Sequence, residues 1–139
     1  MDLYDTLLVL HVLSTFVVVG ALTALWALVL GTRAATPVLG ADSAMRFGRT
    51  GGILVGAGLT GAIIFGVWLA IYDERYQLWD VWILVSLALW ALAAWAGTQA
   101  GKAFAGDADA GRQAGIRFQT LNSVGILGIL VLMIWKPGA

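Results

Sequence analysis

Histidine is the residue type with the widest chemistry in this sequence, and the chain holds a single copy, His11. It lies in a long apolar segment, roughly 7–8 Å from the nearer end at about 1.5 Å per helical residue. Ionisable side chains at such depth are uncommon and are candidates for function. Three roles are open to His11: a neutral ring hydrogen-bonded to a neighbouring helix, an axial ligand of haem or a metal, or a proton-transfer group.

The chain has one histidine and no cysteine. A metal site built from side chains alone usually needs three or four ligands, with more than one histidine or cysteine among them. Haem needs only one strong axial ligand, and methionine can serve as the second. Met133 lies near the end of the last apolar segment, at a depth similar to that of His11. One hypothesis is therefore haem b bracketed by His11 and Met133. Haem shared by His11 of two copies is another, and Met133 as a core gap-filler is a third.

Three polar residues near the start of the last apolar segment form a second candidate group: Gln119, Asn122 and Ser123. An amide in lipid needs a hydrogen-bond partner, so this group predicts a polar cavity near one membrane face. No acidic residue lies in the middle of an apolar segment, which argues against a proton- or cation-coupled transporter. No Ser–His–Asp arrangement, phosphate loop or metalloprotease spacing is present. The sequence therefore argues against an ordinary hydrolase, and a non-enzymatic role is favoured over an enzymatic one.

Long apolar segments must position these side chains. Hydrophobic residues make up 60% of the 139 residues and charged residues 12%, whereas a soluble domain carries about 25% charged residues. A membrane-spanning helix needs about 20 apolar residues, and segments 6–30, 51–71, 79–98 and 119–135 provide them. The sequence predicts an all-α, up-and-down, four-helix transmembrane bundle in a single integral membrane domain, residues 1–139. The zero net charge argues against a nucleic-acid partner, so the lipid bilayer is the expected partner.

The basic residues indicate the orientation. Six of the eight lie in the two connections on one side: Arg33, Arg46, Arg49, Lys102, Arg112 and Arg117. Only Arg75 and Lys136 lie on the other side. The positive-inside rule then predicts a bacterial-type inner (plasma) membrane protein with both termini extracytoplasmic. Residues 41–49 and 108–117 are predicted to be short amphipathic connections at the inner headgroups. Aromatic residues cluster at the proposed outer boundary, as in an interfacial belt: Tyr4, Trp68, Tyr72, Tyr76, Trp79, Trp82 and Trp135.

The second segment is rich in glycine. Gly48, Gly52 and Gly56 are spaced by four residues, and Gly61 continues the small-residue pattern one position over. Small residues at this spacing let helix backbones come into contact in a membrane. The pattern predicts close helix packing, either inside the bundle or between copies in a homo-oligomer. Trp26, Trp90 and Trp95 lie deeper and are expected to be packing residues or inner anchors.

Several short motifs resemble known membrane families. They are Leu3-Tyr4, Leu10-His11-Val12-Leu13, Val19-Gly20-Ala21, Gly66-Val67-Trp68-Leu69-Ala70 and Trp79-Asp80-Val81-Trp82. Over nearly the whole chain the pattern resembles the uncharacterised bacterial integral membrane proteins of domain of unknown function family 2269. The Leu-His pair with a later glycine is also similar to copper-resistance D-type membrane domains and to the membrane haem protein acting late in porphyrin oxidation. These two resemblances imply haem or copper handling, with His11 as the ligand.

Three functional hypotheses follow. The first is a small non-enzymatic binding, channel-like or accessory subunit with polar groups at His11 and in the fourth segment. The second is a membrane redox protein that binds haem b through His11. The third is a structural partner in a larger membrane complex, docking through the glycine face of the second segment.

Overall fold

The computed structural model describes residues 2–31, 40–72, 79–106 and 108–135. These residues form four α-helices: α1 (Leu3–Gly31), α2 (Ala41–Tyr72), α3 (Val81–Ala105) and α4 (Ala108–Trp135). All four are long and apolar enough to cross a membrane. The predicted all-α four-helix architecture is therefore confirmed. The expectations placed on Arg33, Arg75, Tyr76 and Lys136 lie outside the described residues.

Two of the helices extend well beyond their apolar segments. Helix α2 has 32 residues and α4 has 28, which at about 1.5 Å per residue gives lengths of roughly 48 Å and 42 Å. The hydrocarbon core is only about 30 Å thick. The predicted amphipathic connections are therefore the first turns of α2 and α4. No proline interrupts these turns, and their alanine and arginine residues favour a helix.

The helices pair as two hairpins, α1 with α2 and α3 with α4, and the hairpins meet more loosely along α2 and α3. Glycines bring α2 close to α1. A Cβ atom at Gly58 would lie 2.8 Å from Val18 Cγ2 and 3.0 Å from the Ser14 carbonyl oxygen. One at Gly51 would lie 2.7 Å from Leu25 Cδ2. Close contact of this kind stabilises a helix pair by van der Waals packing, which matters most where lipid removes the hydrophobic driving force for association.

The second hairpin packs through alanine as well as glycine. Ala93, Ala96 and Ala100 of α3 are almost completely buried. A Cβ atom at Gly125 of α4 would lie 3.2 Å from the Cβ atom of Ala93. Both hairpins therefore depend on small side chains at their seams, where van der Waals contact stabilises them.

Larger apolar side chains fill the space between the hairpins. All four helices contribute to this central cluster, whose buried members are Val18, Ala21, Leu22, Val55, Leu59, Ala93 and Ile126. Elsewhere the helices expose their apolar surfaces: only 17% to 28% of each membrane-length segment is buried. A lateral surface of this kind is suited to lipid, in which exposed leucine and valine carry no penalty.

The two ends of the bundle differ in charge. Among the described residues, every lysine and arginine lies at the end where α2 and α4 begin: Arg46, Arg49, Lys102, Arg112 and Arg117. The opposite end holds Asp2, Asp5 and Asp80 together with exposed Trp68, Tyr72, Trp79 and Trp135. The rings of Tyr4 and Tyr72 meet there, with centroids 6.5 Å apart. We call the end where α2 and α4 begin the basic end, and the opposite end the aromatic end.

The glycines predicted to pack are divided by the fold. Gly48 and Gly61 face α1, where added Cβ atoms would lie 3.5 Å from Leu28 and 2.8 Å from Ser14 Oγ respectively. Gly52 and Gly56 are exposed, and an added Cβ atom would meet nothing within 4 Å. The first pair belongs to the α1–α2 seam, whereas the second pair faces away from the described bundle.

Candidate functional site

His11 lies in the α1–α2 seam, about two turns from the aromatic end. Its Nδ1 atom is 2.8 Å from the backbone carbonyl oxygen of Ala62 on α2. A carbonyl can only accept, so Nδ1 carries the proton in this hydrogen bond. In the neutral ring, Nε2 is then left with its lone pair. The tautomer is thus set by the backbone of a neighbouring helix.

Gly66 provides the space for this ring. A Cβ atom at Gly66 would lie 2.9 Å from Cε1 and 3.1 Å from Nδ1 of His11. Any side chain there would displace the imidazole from Ala62. Glycine at this position and the hydrogen bond to Ala62 together fix the ring plane, which is a precondition for a well-defined ligand or hydrogen-bonding group.

Along α1, His11 has no hydroxyl partner for nucleophilic catalysis. The nearest hydroxyl along α1 is that of Ser14, and it donates to its own helix at the Leu10 carbonyl, 2.8 Å away. It therefore forms no nucleophile–base pair with the imidazole. Within the described ranges, no group of three or more His, Cys, Asp or Glu residues could hold a metal ion. Among the described residues, His11 therefore offers a single nitrogen donor and not part of a multi-residue metal site.

Met133 is half-buried on α4. Trp26 of α1 and Ser123 of α4 are hydrogen-bonded and so lie at the same height along the bundle axis. Distances along α1 and α4 can therefore be measured from this height. His11 lies about 22 Å from that level towards the aromatic end, and Met133 about 15 Å, at about 1.5 Å per residue. The two side chains are thus offset by roughly 7 Å along the axis. Helix tilt and side-chain length must close this offset if both ligate one iron, so their pairing stays a prediction.

A second polar group lies in the half of the bundle nearer the basic end. Trp26 Nε1 donates to Ser123 Oγ at 2.9 Å, and the Ser123 hydroxyl donates to the Gln119 carbonyl oxygen at 2.8 Å. This short relay ties α1 to α4 and so joins the two hairpins. Trp26, expected to be a packing residue or an inner anchor, is also a hydrogen-bond donor.

Gln119 and Asn122 are only 4% and 2% exposed. Gln119 Nε2 and Asn122 Oδ1 are enclosed by protein and have no hydrogen-bond partner among the described residues. The Asn122 amide lies against Gly97 of α3, where an added Cβ atom would be 3.6 Å from Nδ2. An unpaired buried polar atom costs about 1–3 kcal/mol. The fold therefore divides the predicted cavity group: Asn122 lies in the α3–α4 seam, whereas Ser123 faces α1. The two buried amides leave one donor group and one acceptor without a partner.

The central cluster separates the two polar groups. Val18, Leu22, Val55, Leu59 and Ile126 occupy the levels between His11 and the amides and are buried. Within the described bundle these apolar side chains interrupt any polar path from one end to the other. A channel-like function would therefore need a pathway between several copies.

Comparison with known proteins adds no relative from which a role could be transferred. No protein-family model matches the chain, and neither a curated protein nor a solved structure matches it. The resemblances to the uncharacterised membrane family and to copper-resistance D-type domains stay predictions.

The Trp26–Ser123 hydrogen bond can be tested with a double-mutant cycle. Ser123→Ala should lower the free energy of unfolding by about 1 kcal/mol, because it leaves a buried indole N–H unpaired. In a Trp26→Phe background the same change should have little effect. Unfolding in mixed detergent micelles measures both. Ser86→Ala is the control, since that hydroxyl bonds only within its own helix. Equal effects in both backgrounds would show that the bond contributes nothing.

Proposed function

We propose that this protein is a small, non-enzymatic, membrane-embedded binding or accessory subunit, and that His11 is its binding group. The observation that carries the proposal is the hydrogen bond from His11 Nδ1–H to the Ala62 carbonyl. It fixes the ring between two helices and leaves Nε2 able to donate an electron pair. Ligating histidines are commonly held in this way, with the other ring nitrogen bonded to a carbonyl or carboxylate.

The second candidate function is that of a membrane redox protein in which His11 binds haem b. A single well-oriented imidazole can hold haem, whereas it cannot complete a zinc site. The apolar surroundings of His11 suit a porphyrin, and the iron would supply one-electron chemistry. Met133, or His11 of a second copy, would be the second residue that holds the haem. Copper bound by the same nitrogen is the related possibility implied by the copper-resistance resemblance.

An absorbance spectrum of the purified protein, supplied with haemin and recorded oxidised and reduced, tests the haem candidate. We expect a Soret band with sharp reduced bands, lost in His11→Ala and altered in Met133→Leu. Thr15→Val is the control, because the Thr15 hydroxyl bonds only the His11 carbonyl within α1. A spectrum of aromatic absorption alone would reject haem. Absence of any His11-dependent change on adding copper ions would reject the wider binding proposal.

The proposed location is a bacterial-type inner membrane, with both termini extracytoplasmic. Support comes from the five described basic residues gathered at one end of the bundle, at the starts of α2 and α4 and the end of α3. Such residues are retained on the cytoplasmic side during insertion. The aromatic end, with the start of α1 and the end of α4, then faces outward.

This orientation can be tested by cysteine labelling, because the chain has no cysteine of its own. Asp5→Cys and Asp42→Cys form a matched pair, each being exposed in the first turn of its helix. A membrane-impermeant maleimide should label Asp5→Cys in intact spheroplasts and Asp42→Cys only after permeabilisation. The reverse pattern would invert the proposed topology.

An accessory role also needs a docking face, and α2 supplies a candidate. Gly52 and Gly56 are exposed and four residues apart, and nothing lies within 4 Å of the Cβ position at either. A stripe of this kind lets a second helix approach closely. It favours a homo-oligomer or a place in a larger membrane complex, and a channel-like assembly would also have to form through such contacts.

Replacing both exposed glycines by valine tests this face. The Gly52→Val, Gly56→Val protein should keep its melting temperature but lose its oligomer in mild detergent, as measured by native mass spectrometry. Gly20→Val is the matched control, because that exposed glycine of α1 also has open space around it. Gly58→Val should instead destabilise the fold, since its side chain would meet Val18 and the backbone of Ser14. A wild-type protein that is monomeric in both detergent and bilayers would contradict the docking role.

A further inference from the structure

A shallow groove runs along the face of α4 near the basic end. Its volume is about 390 Å³, and it is lined by Gln113, Ala114, Arg117, Phe118 and Leu121. The polar members come first along the helix and the apolar ones last. The groove therefore changes from basic and hydrogen-bonding to apolar over about two turns.

The position of the groove along α4 matches the boundary of a membrane. Arg117 lies eighteen residues before Trp135, the last residue of the helix at the aromatic end, so about 27 Å separate them. A hydrocarbon core is about 30 Å thick. If the aromatic end marks one boundary, Arg117 lies at the other. Gln113 is then about 6 Å further into the headgroups, and Leu121 about 6 Å inside the hydrocarbon.

The polar groups of the groove are free to bind. Among the described residues, none of the hydrogen bonds or ion pairs involves Arg117 or Gln113, and both side chains are exposed. Phe118 forms the side of the groove next to these two residues. Its ring packs edge-on against Trp95 of α3, with centroids 5.5 Å apart, and this contact holds it in place. Arg112 lies five residues before Arg117 on the same helix, and one of its guanidinium nitrogens is enclosed without a hydrogen-bond partner among the described residues.

We propose that this groove binds one anionic phospholipid of the adjoining leaflet. The phosphate is held by the Arg117 guanidinium and the Gln113 amide, and one acyl chain lies along Phe118 and Leu121. A guanidinium matches phosphate geometry with two parallel hydrogen bonds. The charge of Arg117, together with that of Arg112 and Lys102 nearby, favours a lipid with net negative charge over a zwitterionic one. The site is independent of His11 and of its ligand.

Phosphatidylglycerol and phosphatidylcholine provide the test. The full-length protein is placed in nanodiscs of phosphatidylcholine with and without phosphatidylglycerol, and bound lipid is counted by native mass spectrometry. We expect retained phosphatidylglycerol and a raised melting temperature in the wild type. Arg117→Gln should weaken retention by roughly tenfold, the loss expected for one charge-assisted contact. Arg49→Gln removes the same charge from an exposed position of α2 at the same end and should retain the lipid.

Two outcomes would overturn the site. Equal losses in Arg117→Gln and Arg49→Gln would show diffuse attraction of lipid to the basic end. Equal retention of phosphatidylcholine and phosphatidylglycerol by the wild type would show an acyl-chain groove without headgroup recognition. Arg117→Lys keeps the charge but loses the planar fork, so it should retain less lipid than the wild type and more than Arg117→Gln. If Arg117→Gln fails to fold, the same comparison between Arg117→Lys and Arg49→Gln decides the proposal.

Discussion

Close contact between α1 and α2 is the constraint on which the candidate site depends. Lipid removes the hydrophobic drive for helix association, so the pair is held by van der Waals contact at short range. At Gly58 the helices come so close that a single methyl group would reach the Ser14 carbonyl. The same approach continues at Gly66, where the missing side chain makes room for the His11 ring. If this seam opened, the Ala62 carbonyl would move away and the imidazole would lose its fixed tautomer.

The two interfaces of the bundle are built from different residues. Within each hairpin, glycine and alanine allow near-contact of the backbones, whereas between the hairpins larger side chains such as Leu22, Leu59 and Ile126 fill the gap. The Trp26–Ser123 hydrogen bond adds a directional link between the hairpins.

The chemistry of the bundle is divided along its axis. One half holds the imidazole, with an available electron pair, and the other holds the amides and, beyond them, the arginines. The apolar central cluster lies between them. Within the described residues, no continuous polar path therefore joins the two halves. The unpaired atoms of Gln119 and Asn122 are a cost to stability for which the described residues offer no compensation.

The number and type of elements could be read from the sequence, because the length and apolarity of a segment are local properties. The full lengths of α2 and α4 could not, since their first turns are polar and their helicity continues beyond the hydrocarbon region. A four-residue glycine spacing was also ambiguous. It advances about 40° around a helix at each step, so Gly48 can face α1 while Gly56 faces outward. The packing face instead follows a seven-residue spacing through Gly51 and Gly58, which lie only about 20° apart around the helix and both contact α1.

His11 could be singled out from the sequence, because a lone histidine in an apolar segment is rare. The identity of its partner could not, since Ala62 contributes a backbone carbonyl, which every residue has and no side-chain pattern marks. The same holds for Gln119 and Asn122: their need for partners was evident, but which of their atoms were left unpaired was not. Sequence by itself determined which residues fall in segments long and apolar enough to cross a membrane, and how far along its segment each residue lies. Only the tertiary structure decided which groups meet, because contact depends on how the helices rotate and pack against one another.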